Sequence, residues 1–361
     1  MKIKVLHIVT RLDIGGISSL LYGYFKYIDR SKVHFDVVTI ETDYVQDCQE
    51  AFRNLGVNVY FMPKRVFRRL GFLTTLFKRN NYDYVHSHVE LPSAIYLALA
   101  KYVGIKGRIA HGHLAIENNG VKNKLFTLLL NNVVTTRIGA SDLAVESLFG
   151  KSYSRKAIIL KNAIDVDKYI FNIDMRRKYR HDLGIEAKFV VGFVGRLTYL
   201  KNIFYLLDVF KALNKKIPNA YLLIVGDGEL KDSFYRKVIE DELQDHVKIL
   251  GNREDVNLLM MAMDVNLLTS FKEGLGMVLI EAQAASLKSI ANSSGIPKMA
   301  KVSPYLLFED IHDSPAIWVD RIISECLSYH RGNTHNYVSE SHFNVRKVAN
   351  NLLDIYKCRK N

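Results

Sequence analysis

The chain has 361 residues, enough for two domains with a core each, and its hydrophobic (48%) and charged (24%) fractions are those of globular proteins. Its six prolines and the lack of any low-complexity tract argue against long disordered segments. The sequence contains no run of about 18 apolar residues, which is the length needed to cross a bilayer. The net charge of +13 predicts an anionic partner, and three scattered cysteines without a Cys-x-x-Cys pair favour a reducing compartment and no structural zinc.

The first residues, MKIKVLHIVTRLDIGG, predict a buried strand and not a secretory signal. Their apolar run is interrupted by His7, ends at Arg11 and Asp13, and is followed by no small-residue cleavage site. Together with the cysteine pattern, this favours a cytoplasmic protein.

Strand-like and helix-like stretches alternate through the first half of the chain. After the strand KVLHIVT and a glycine turn come the helix SSLLYGYFKYID, the strand FDVVTI, the helix VQDCQEAFRNLG, the strand VNVYFM, a basic helix, the strand YDYVHSH, the helix PSAIYLALAKYVG and the strand GRIAHGH. Such alternation is typical of βαβ units around a parallel sheet.

The same pattern restarts in the second half, after an irregular stretch at KNAIDVDKY (161–169). It runs through KFVVGFVG, NIFYLLDVFKALNKKIP, AYLLIVGDG, ELKDSFYRKVIEDE, VKILG, DVNLLMMAMD and VNLLTS, and NVRKVANNLLDIYKC predicts a closing helix. We therefore predict an α/β protein with two doubly wound, Rossmann-like domains: residues 1–163 with the closing helix at about 344–361, and residues 164–343. Because such sheets bind ligands at the carboxyl ends of their strands, we expect the active site in a cleft between the domains.

Residues 64–79, within PKRVFRRLGFLTTLFKRN, combine cations with large apolar side chains. The cations are Lys64, Arg65, Arg68, Arg69, Lys78 and Arg79, and the apolar residues are Phe67, Leu70, Phe72, Leu73, Leu76 and Phe77. A helix of this kind can lie on an anionic membrane surface, and the alternative is a helix that packs its apolar stripe on its own domain. No nucleic-acid motif accompanies the charge, so we expect no nucleic-acid partner.

Two cations follow the predicted strand in VGFVGRLTYLKN. Arg196 comes directly after Gly195, and Lys201 precedes a helix that begins near Asn202. Two fixed charges and a helix start could hold a diphosphate without a metal. The alternative is a solvated loop.

Two carboxylates flank the glycine-containing stretch FKEGLGMVLIEAQA, at Glu273 and Glu281. Gly274 and Gly276, with Leu275 between them, let backbone N–H groups approach a ligand at a helix start. Glu281 could accept hydrogen bonds from two hydroxyls of a ribose, and Glu273 lies nearer to where a sugar would sit. The alternative for Glu281 is a buried carboxylate satisfied by backbone amides.

Three stretches of the second half, in their order along the chain, resemble the donor-binding half of retaining GT-B glycosyltransferases of family 4. They are FVGRLTYLKN, LLIVGDGEL and EGLGMVLIEAQA. The opening GGISSLLYGYFKYIDRSKVHFDVVT resembles the bacterial exopolysaccharide and capsule branch of that family. The resemblance covers nearly the whole chain. It implies a nucleotide-sugar donor, preferably a UDP-sugar, held by the second domain, and an acceptor such as a lipid-linked oligosaccharide held by the first.

The resemblance also assigns roles to residues. It implies that Arg196 and Lys201 bind the diphosphate, that Glu281 binds the ribose and that Glu273 lies beside the transferred sugar. Further donor contacts are expected from Gly15, Gly16, Gly226, Gly274, Leu275 and Gly276. The chain departs from the family at Ala163, where glycine is usual, and at Gly276, where proline is common.

Histidines end two of the predicted strands. The family has a histidine near the sugar, and His111 and His113 both match its position, with a slight preference for His111; His86 and His88 are expected on the acceptor side. The pairs could also suggest a metal, but no carboxylate or cysteine completes either one, so no metal or other cofactor is expected. The Asp-x-Asp of DVD (165–167) lies in the domain seam and is expected to be structural.

The leading hypothesis is a retaining, metal-independent hexosyltransferase that works at the inner face of the membrane. A nucleotide-sugar epimerase of the same fold and a non-catalytic sugar-nucleotide-binding partner remain as alternatives. The basic amphipathic segment argues against a soluble epimerase, and the intact set of charged residues argues against a non-catalytic role.

Overall fold

A computed structural model of the chain describes residues 2–113, 120–331 and 335–358. The chain divides into two compact units, Met1–Ile164 with Val345–Asn361, and Asp165–Asn344. The last helix therefore returns to the first unit, where the sequence predicts a closing helix; residues 359–361 of that predicted helix lie outside the described residues.

The first unit is built on a seven-stranded parallel sheet with the order β3-β2-β1-β4-β5-β6-β7. Its strands are β1 (Ile3–Ile8), β2 (Val33–Ile40), β3 (Asn58–Met62), β4 (Tyr84–Ser87), β5 (Gly107–Gly112), β6 (Thr136–Gly139) and β7 (Ile158–Ile159). The strand order reverses between β1 and β4, which is where doubly wound sheets open a crevice for ligands.

Helices cover both faces of this sheet. They are α1 (Gly16–Tyr27), α2 (Gln49–Asn54), α3 (Val66–Asn80), α4 (Ser93–Val103), α5 (Val121–Val133), α6 (Asp142–Phe149) and the closing helix α14 (Val345–Lys357). On one face, α1 and α14 bury Phe25 and Tyr356 against β1 and β2. On the other, α3, α4 and α5 bury residues such as Leu76, Leu97 and Leu130. Each face therefore has its own apolar core.

The second unit has a six-stranded parallel sheet with the order β10-β9-β8-β11-β12-β13. Its strands are β8 (Phe189–Val194), β9 (Ala220–Val225), β10 (Val247–Ile249), β11 (Val265–Leu268), β12 (Ser289–Asn292) and β13 (Leu306–Glu309). Its helices are α7 (Ile173–Leu183), α8 (Ile203–Lys216), α9 (Lys231–Glu240), α10 (Val256–Ala262), α11 (Met277–Ala284), α12 (Pro315–Cys326) and α13 (His335–Glu340). Here the order reverses between β8 and β11.

Local sequence accounts for several helix ends. The side chain of Asn172 accepts hydrogen bonds from the backbone N–H groups of Asp174 and Met175 at the start of α7, and Gly184 ends that helix in the left-handed conformation. Ser141 caps α6 in the same way as Asn172 caps α7, through the N–H of Ala144.

The predicted α/β class and the two doubly wound sheets are confirmed. The sequence pattern does not separate the strands and helices between residues 121 and 160, or those between residue 285 and the predicted closing helix. Within the described residues, no helix has both the length and the apolar composition that a bilayer crossing requires.

Candidate functional site

The predicted residues of the second unit follow β8 and β11, on either side of the point where its strand order reverses. Arg196 and Lys201 lie in the loop after β8, and Glu273 and the glycines lie in the loop after β11. Both loops belong to the carboxyl edge of the sheet, because parallel strands all end on the same side.

Arg196 is exposed and unpaired among the described residues. Its neighbours are fixed, since the N–H of Gly195 donates to the carbonyl of Val225 (3.0 Å) and the N–H of Leu197 donates to the carbonyl of Asp227 (3.0 Å). The guanidinium therefore extends from a rigid backbone with its donors available to an anion.

Lys201 forms an ion pair with Glu273, so the two predicted cations differ: Arg196 is exposed and Lys201 is neutralised by a carboxylate. Its Nζ lies 2.5 Å from Oε1 of Glu273, and the hydroxyl of Ser270 donates to the same oxygen (2.6 Å). Both side chains of the ion pair are largely buried, with 22% of Lys201 and 14% of Glu273 exposed. The pair joins the two loops and carries no net charge of its own. Ser270 is a site residue that sequence reasoning missed, because a lone serine at a strand end carries no recognisable pattern.

Backbone and side-chain hydrogen bonds hold the two loops together. The hydroxyl of Thr269 donates to the carbonyls of Lys201 (3.2 Å) and Asn202 (3.1 Å). The N–H of Glu273 donates to the carbonyl of Gly295 (2.9 Å), which fixes the start of the glycine stretch. The geometry of the Lys201–Glu273 pair is thus set by the backbone.

The predicted donor-binding glycines differ in what surrounds them. At Gly274 an added Cβ would meet no atom of the described residues within 4 Å, so the backbone there is open to a ligand. Gly276 has φ +74° and precedes α11, with Leu275 between the two glycines. At Gly226 a Cβ would lie 2.0 Å from the carbonyl oxygen of Gly195, and its N–H already donates to Gly251 (2.8 Å). Gly226, which follows β9, therefore packs against the segments that follow β8 and β10, and its predicted donor contact remains a prediction.

Glu281, in the second turn of α11, interacts with a tyrosine, and no backbone amide of the described residues is among its partners. The hydroxyl of Tyr169, from the 3-10 turn Val166–Tyr169, donates to its carboxylate. Burial raises the pKa of Glu281 to about 7, and the Tyr169 hydrogen bond opposes that shift only in part. A half-buried carboxyl with one protein donor has acceptor capacity left for hydroxyl groups. Tyr169 was also missed by sequence reasoning, although it belongs to the seam stretch that was expected to be structural.

In the first unit, five histidines lie together at the carboxyl ends of β1, β4 and β5: His7, His86, His88, His111 and His113. His7 is paired in register with His86 across β1 and β4, and His86 with Ile109 across β4 and β5. Residues two apart on a strand share a face, so His88 and His111 continue the same row. His7 could not be connected with the others from the sequence, because nothing local marks it as a partner.

His111 and His113 differ in their exposure to solvent. His111 is fully buried and its two ring nitrogens make no hydrogen bond among the described residues, whereas His113 is partly exposed. The preference for His111 as the histidine near the sugar is therefore not supported by its placement. Burial lowers the pKa of His113 to about 4, so this imidazole is uncharged at neutral pH.

Two triads of these histidines bring ring nitrogens within 4.8 Å of one another: His7, His86 and His88, and His88, His111 and His113. Sequence reasoning considered the pairs separately and missed this convergence. The facing nitrogens of His7 and His88 lie 3.0 Å apart and those of His88 and His113 lie 2.9 Å apart, so each triad contains rings that are already joined as hydrogen-bonded pairs. The triads as arranged fit hydrogen bonding better than metal coordination.

The remaining predicted residues, Gly15 and Gly16, lie at the start of α1. Together with Thr10, Arg11 and Asp13 they line a shallow pocket at the carboxyl end of β1. This edge also carries the histidines, so the first unit has its candidate ligand-binding groups on one side of its sheet.

Comparison with known proteins finds similarity to glycosyltransferases. Residues 175–301 match the family model of glycosyl transferases group 1. The chain is 26% identical over 335 residues to EpsF of Bacillus subtilis strain 168, covering 88% of this chain and 86% of that protein. It is 26% identical over 311 residues to the UDP-Gal:alpha-D-GlcNAc-diphosphoundecaprenol alpha-1,3-galactosyltransferase of Escherichia coli, covering 81% of this chain and 80% of that one. A solved structure of Alr3699/HepE from Anabaena in complex with UDP-glucose shares the fold, with a TM-score of 0.81, 18% identity and coverage of 98% and 99%.

Two doubly wound parallel sheets in one chain, with cations and a glycine-rich helix start at a carboxyl edge, define the GT-B class of fold. Within this fold, residues 175–301 match the group 1 glycosyltransferases, and relatives that span most of the chain at 26% identity indicate a glycosyltransferase.

Proposed function

We propose that this protein is a retaining, metal-independent glycosyltransferase that moves a hexose from a UDP-sugar to a hydroxyl group of a lipid-linked saccharide. The product would serve exopolysaccharide or capsule biosynthesis. The observation that carries the proposal is the group of residues around the strand reversal of the second unit: the exposed Arg196, the Lys201–Glu273 pair, the open Gly274 and the half-buried Glu281.

This group matches the parts of a nucleotide sugar. Arg196, Lys201 and the N–H groups at the start of α11 supply positive charge for a diphosphate, and Glu281 supplies acceptors for a ribose diol. In the transfer, the bond between the sugar and the diphosphate breaks, the acceptor hydroxyl oxygen bonds to the same sugar carbon on the same face, and the hydroxyl proton goes to the departing diphosphate. Catalysis would come from positioning and from stabilising the charge that develops on the departing diphosphate.

Relatives support the class of substrates. The Escherichia coli relative is named for a UDP-galactose donor and a diphosphoundecaprenol-linked acceptor, and the Anabaena protein binds UDP-glucose. A lipid-linked acceptor requires the enzyme to work at a membrane surface, which agrees with the net charge of +13.

The structure divides the basic stretch 64–79 into two parts. Leu73, Leu76 and Phe77 pack into the core of the first unit, which is the alternative given for this helix. Residues 64–68 are exposed, and Phe67 is 90% exposed between Arg65 and Arg68. The membrane-facing part of our proposal is therefore the start of α3.

Helix α5 adds a second exposed apolar stripe. Val121 is 86% exposed, Leu125 64% and Leu128 61%, and Lys122 and Lys124 lie beside them. Since α3 and α5 follow parallel strands, both begin at the carboxyl edge of the sheet. Exposed apolar side chains with neighbouring cations fit an anionic bilayer surface, so we propose that both helix starts face the membrane.

Thermal stability with a panel of nucleotide sugars, with and without EDTA, tests the donor site. A ligand at about 100 times its dissociation constant adds roughly 2.7 kcal/mol to the free energy of unfolding. We expect one UDP-sugar to stabilise the protein regardless of EDTA, and Arg196→Ala to lose that effect. Arg177→Ala is the matched control, because Arg177 is an exposed arginine of the same unit whose ion pair lies within α7. Equal stabilisation and turnover of Arg196→Ala and the parent would refute the donor site.

A further inference from the structure

Two aromatic side chains lie exposed and in contact beside the Lys201–Glu273 pair. Tyr199, in the loop after β8, is 72% exposed, and Phe271, in the loop after β11, is 38% exposed. Their ring centroids are 5.1 Å apart, with an angle of 32° between the ring planes. Neither ring belongs to the group that would bind the diphosphate and the ribose. Large exposed apolar side chains at the edge of a ligand site point to a ligand that covers them.

The backbone of Phe271 is fixed from two sides. Its N–H donates to the carbonyl of Leu200 in the loop after β8 (2.9 Å). The carbonyl of Ser270, in the peptide bond that leads to Phe271, accepts a hydrogen bond from the side-chain amide of the fully buried Asn292 (2.9 Å). A Cβ at Gly295 would lie 2.6 Å from the carbonyl oxygen of Phe271, so the chain after β12 packs directly against this backbone.

The backbone of Tyr199 is fixed by the turn that it begins. Tyr199–Lys201 is a 3-10 turn, and the N–H of Asn202 donates to the carbonyl of Tyr199 (3.0 Å). The carbonyl of Asn202 accepts a hydrogen bond from the hydroxyl of Thr269 (3.1 Å), at the end of β11. Both rings therefore extend from fixed backbone although neither is buried, which makes the pair a preorganised surface.

One face of Tyr199 is available to a ligand. Because the two rings face each other, each uses one face for its neighbour, and the large exposure of Tyr199 leaves its outer face in solvent. A ligand with an apolar face gains by covering this ring. A pyranose ring has such a face, made of C–H groups, and its hydroxyl groups project from the edge of the ring towards polar groups such as Lys201 and Glu273.

The positions of the two rings favour a sugar over a nucleobase as the ligand. Tyr199 precedes Lys201 by two residues, and Phe271 precedes Glu273 by two. In the proposed donor site, Lys201 binds the diphosphate and Glu273 lies beside the sugar. The ribose belongs to Glu281, in the second turn of α11, and the nucleobase lies beyond the ribose. The rings are thus at the sugar end of a nucleotide sugar, a step that rests on the proposed function.

We propose that Tyr199 stacks its outer face against a pyranose ring, and that Phe271 is a positioning residue that holds the Tyr199 ring in place. The pyranose is the hexosyl group of the donor or the terminal sugar of the acceptor, because both must come together where the new glycosidic bond forms. Tyr199 then contributes to the choice of sugar and not to the binding of the nucleotide.

Calorimetric titration with UDP, UDP-glucose and UDP-galactose tests the donor as the source of the pyranose. We expect Tyr199→Ala to weaken binding of the preferred UDP-hexose by about 3- to 10-fold and to leave the affinity for UDP unchanged. Phe271→Ala should weaken the same UDP-hexose by a smaller factor. Tyr199→Phe keeps the ring and should bind as the parent protein does. Tyr235→Ala is the matched control, because Tyr235 is an exposed tyrosine on α9 of the same unit.

Methyl α-D-glucopyranoside and methyl α-D-galactopyranoside test the acceptor as the source. If the acceptor supplies the pyranose, Tyr199→Ala and the parent protein should have equal affinities for each UDP-hexose. With UDP bound, saturation-transfer nuclear magnetic resonance should then detect one of the glycosides with the parent protein and with Tyr199→Phe, and not with Tyr199→Ala.

Two results would overturn the proposal. One is equal weakening of UDP and UDP-hexose by Tyr199→Ala, because the ring would then serve the nucleotide or the fold. The other is unchanged binding of every ligand in Tyr199→Ala. A parent protein that binds neither UDP nor a UDP-hexose contradicts the proposed function instead, and the glycoside measurement without UDP then decides whether Tyr199 binds a sugar.

Discussion

At the scale of single residues, the raised pKa of Glu281 predicts how stability changes with pH. The carboxyl has a pKa of about 7 in the folded protein against 4.5 without burial, so the folded state binds more protons between these values. The free energy of unfolding should therefore fall as the pH rises from 4.5 to 7, by up to about 3 kcal/mol from this group. Glu281→Gln removes the titration and should be more stable than the parent protein at pH 8 but similar at pH 4.5.

Thermal unfolding of the two proteins at both pH values measures this difference. Glu254→Gln is the control, because Glu254 is an exposed carboxylate in a loop of the same unit. The interpretation is wrong if the difference between Glu281→Gln and the parent is the same at pH 4.5 and pH 8.

The Lys201–Glu273 pair is the second residue-scale prediction. Lys201→Met leaves the Glu273 carboxylate largely buried with Ser270 as its remaining side-chain donor, and we expect a loss of about 2 kcal/mol of stability. Glu273→Gln should cost less, because the long lysine side chain can reach water.

Urea unfolding of both single variants and of the double variant gives the coupling energy. A double variant whose loss equals the sum of the single losses would show that the two side chains do not interact. The cycle also bears on the proposed function, in which a donor diphosphate would share Lys201 with Glu273.

At the scale of elements, substitutions at two glycines of the second unit, Gly226 and Gly274, distinguish an effect on packing from an effect on ligand binding. Gly226→Ala should lose about 3 kcal/mol or more, since its Cβ would lie 2.0 Å from a backbone oxygen at the end of β8. Gly274→Ala should change stability by less than about 0.5 kcal/mol, because nothing lies within 4 Å of the new methyl group. If the backbone at Gly274 contacts the donor, the same methyl group weakens UDP-sugar binding.

Unfolding of the two variants checks the expected stabilities, and titration with the UDP-sugar checks the expected donor affinity. A destabilised Gly274→Ala, or a Gly226→Ala as stable as the parent, would contradict the packing described here. A Gly274→Ala protein with normal stability and normal donor affinity would remove Gly274 from the predicted site.

Elements also show how much the sequence could predict. The periodicity of apolar residues and the local composition are enough to predict the strand–helix alternation and the loops after β8 and β11, because these signals are local. The ion pair of Lys201 with Glu273 joins residues that are 72 positions apart. The histidine row needs the register of three strands, and Tyr356 reaches it from a helix that is 270 residues beyond His86. Such contacts depend on the tertiary fold, which local patterns do not specify.

At the scale of the whole molecule, the net charge of +13 and the exposed starts of α3 and α5 predict binding to anionic membranes. The full chain should sediment with vesicles that contain phosphatidylglycerol and not with vesicles of phosphatidylcholine alone. Binding should weaken steeply between 50 mM and 500 mM salt, because surface charges are screened over a shorter distance. Phe67→Ser and Leu125→Ser should each weaken it further, by several-fold, through the loss of apolar insertion.

Phe204→Ser is the matched control, because Phe204 is a partly exposed aromatic residue on α8 of the second unit. It should bind vesicles as the parent protein does, and the donor affinity of Phe67→Ser and Leu125→Ser should be unchanged because neither residue belongs to the donor site. If only Phe67→Ser weakens binding, the stripe of α5 faces something other than lipid. If neither variant does, charge alone brings the protein to the membrane, and both apolar helix starts need another partner.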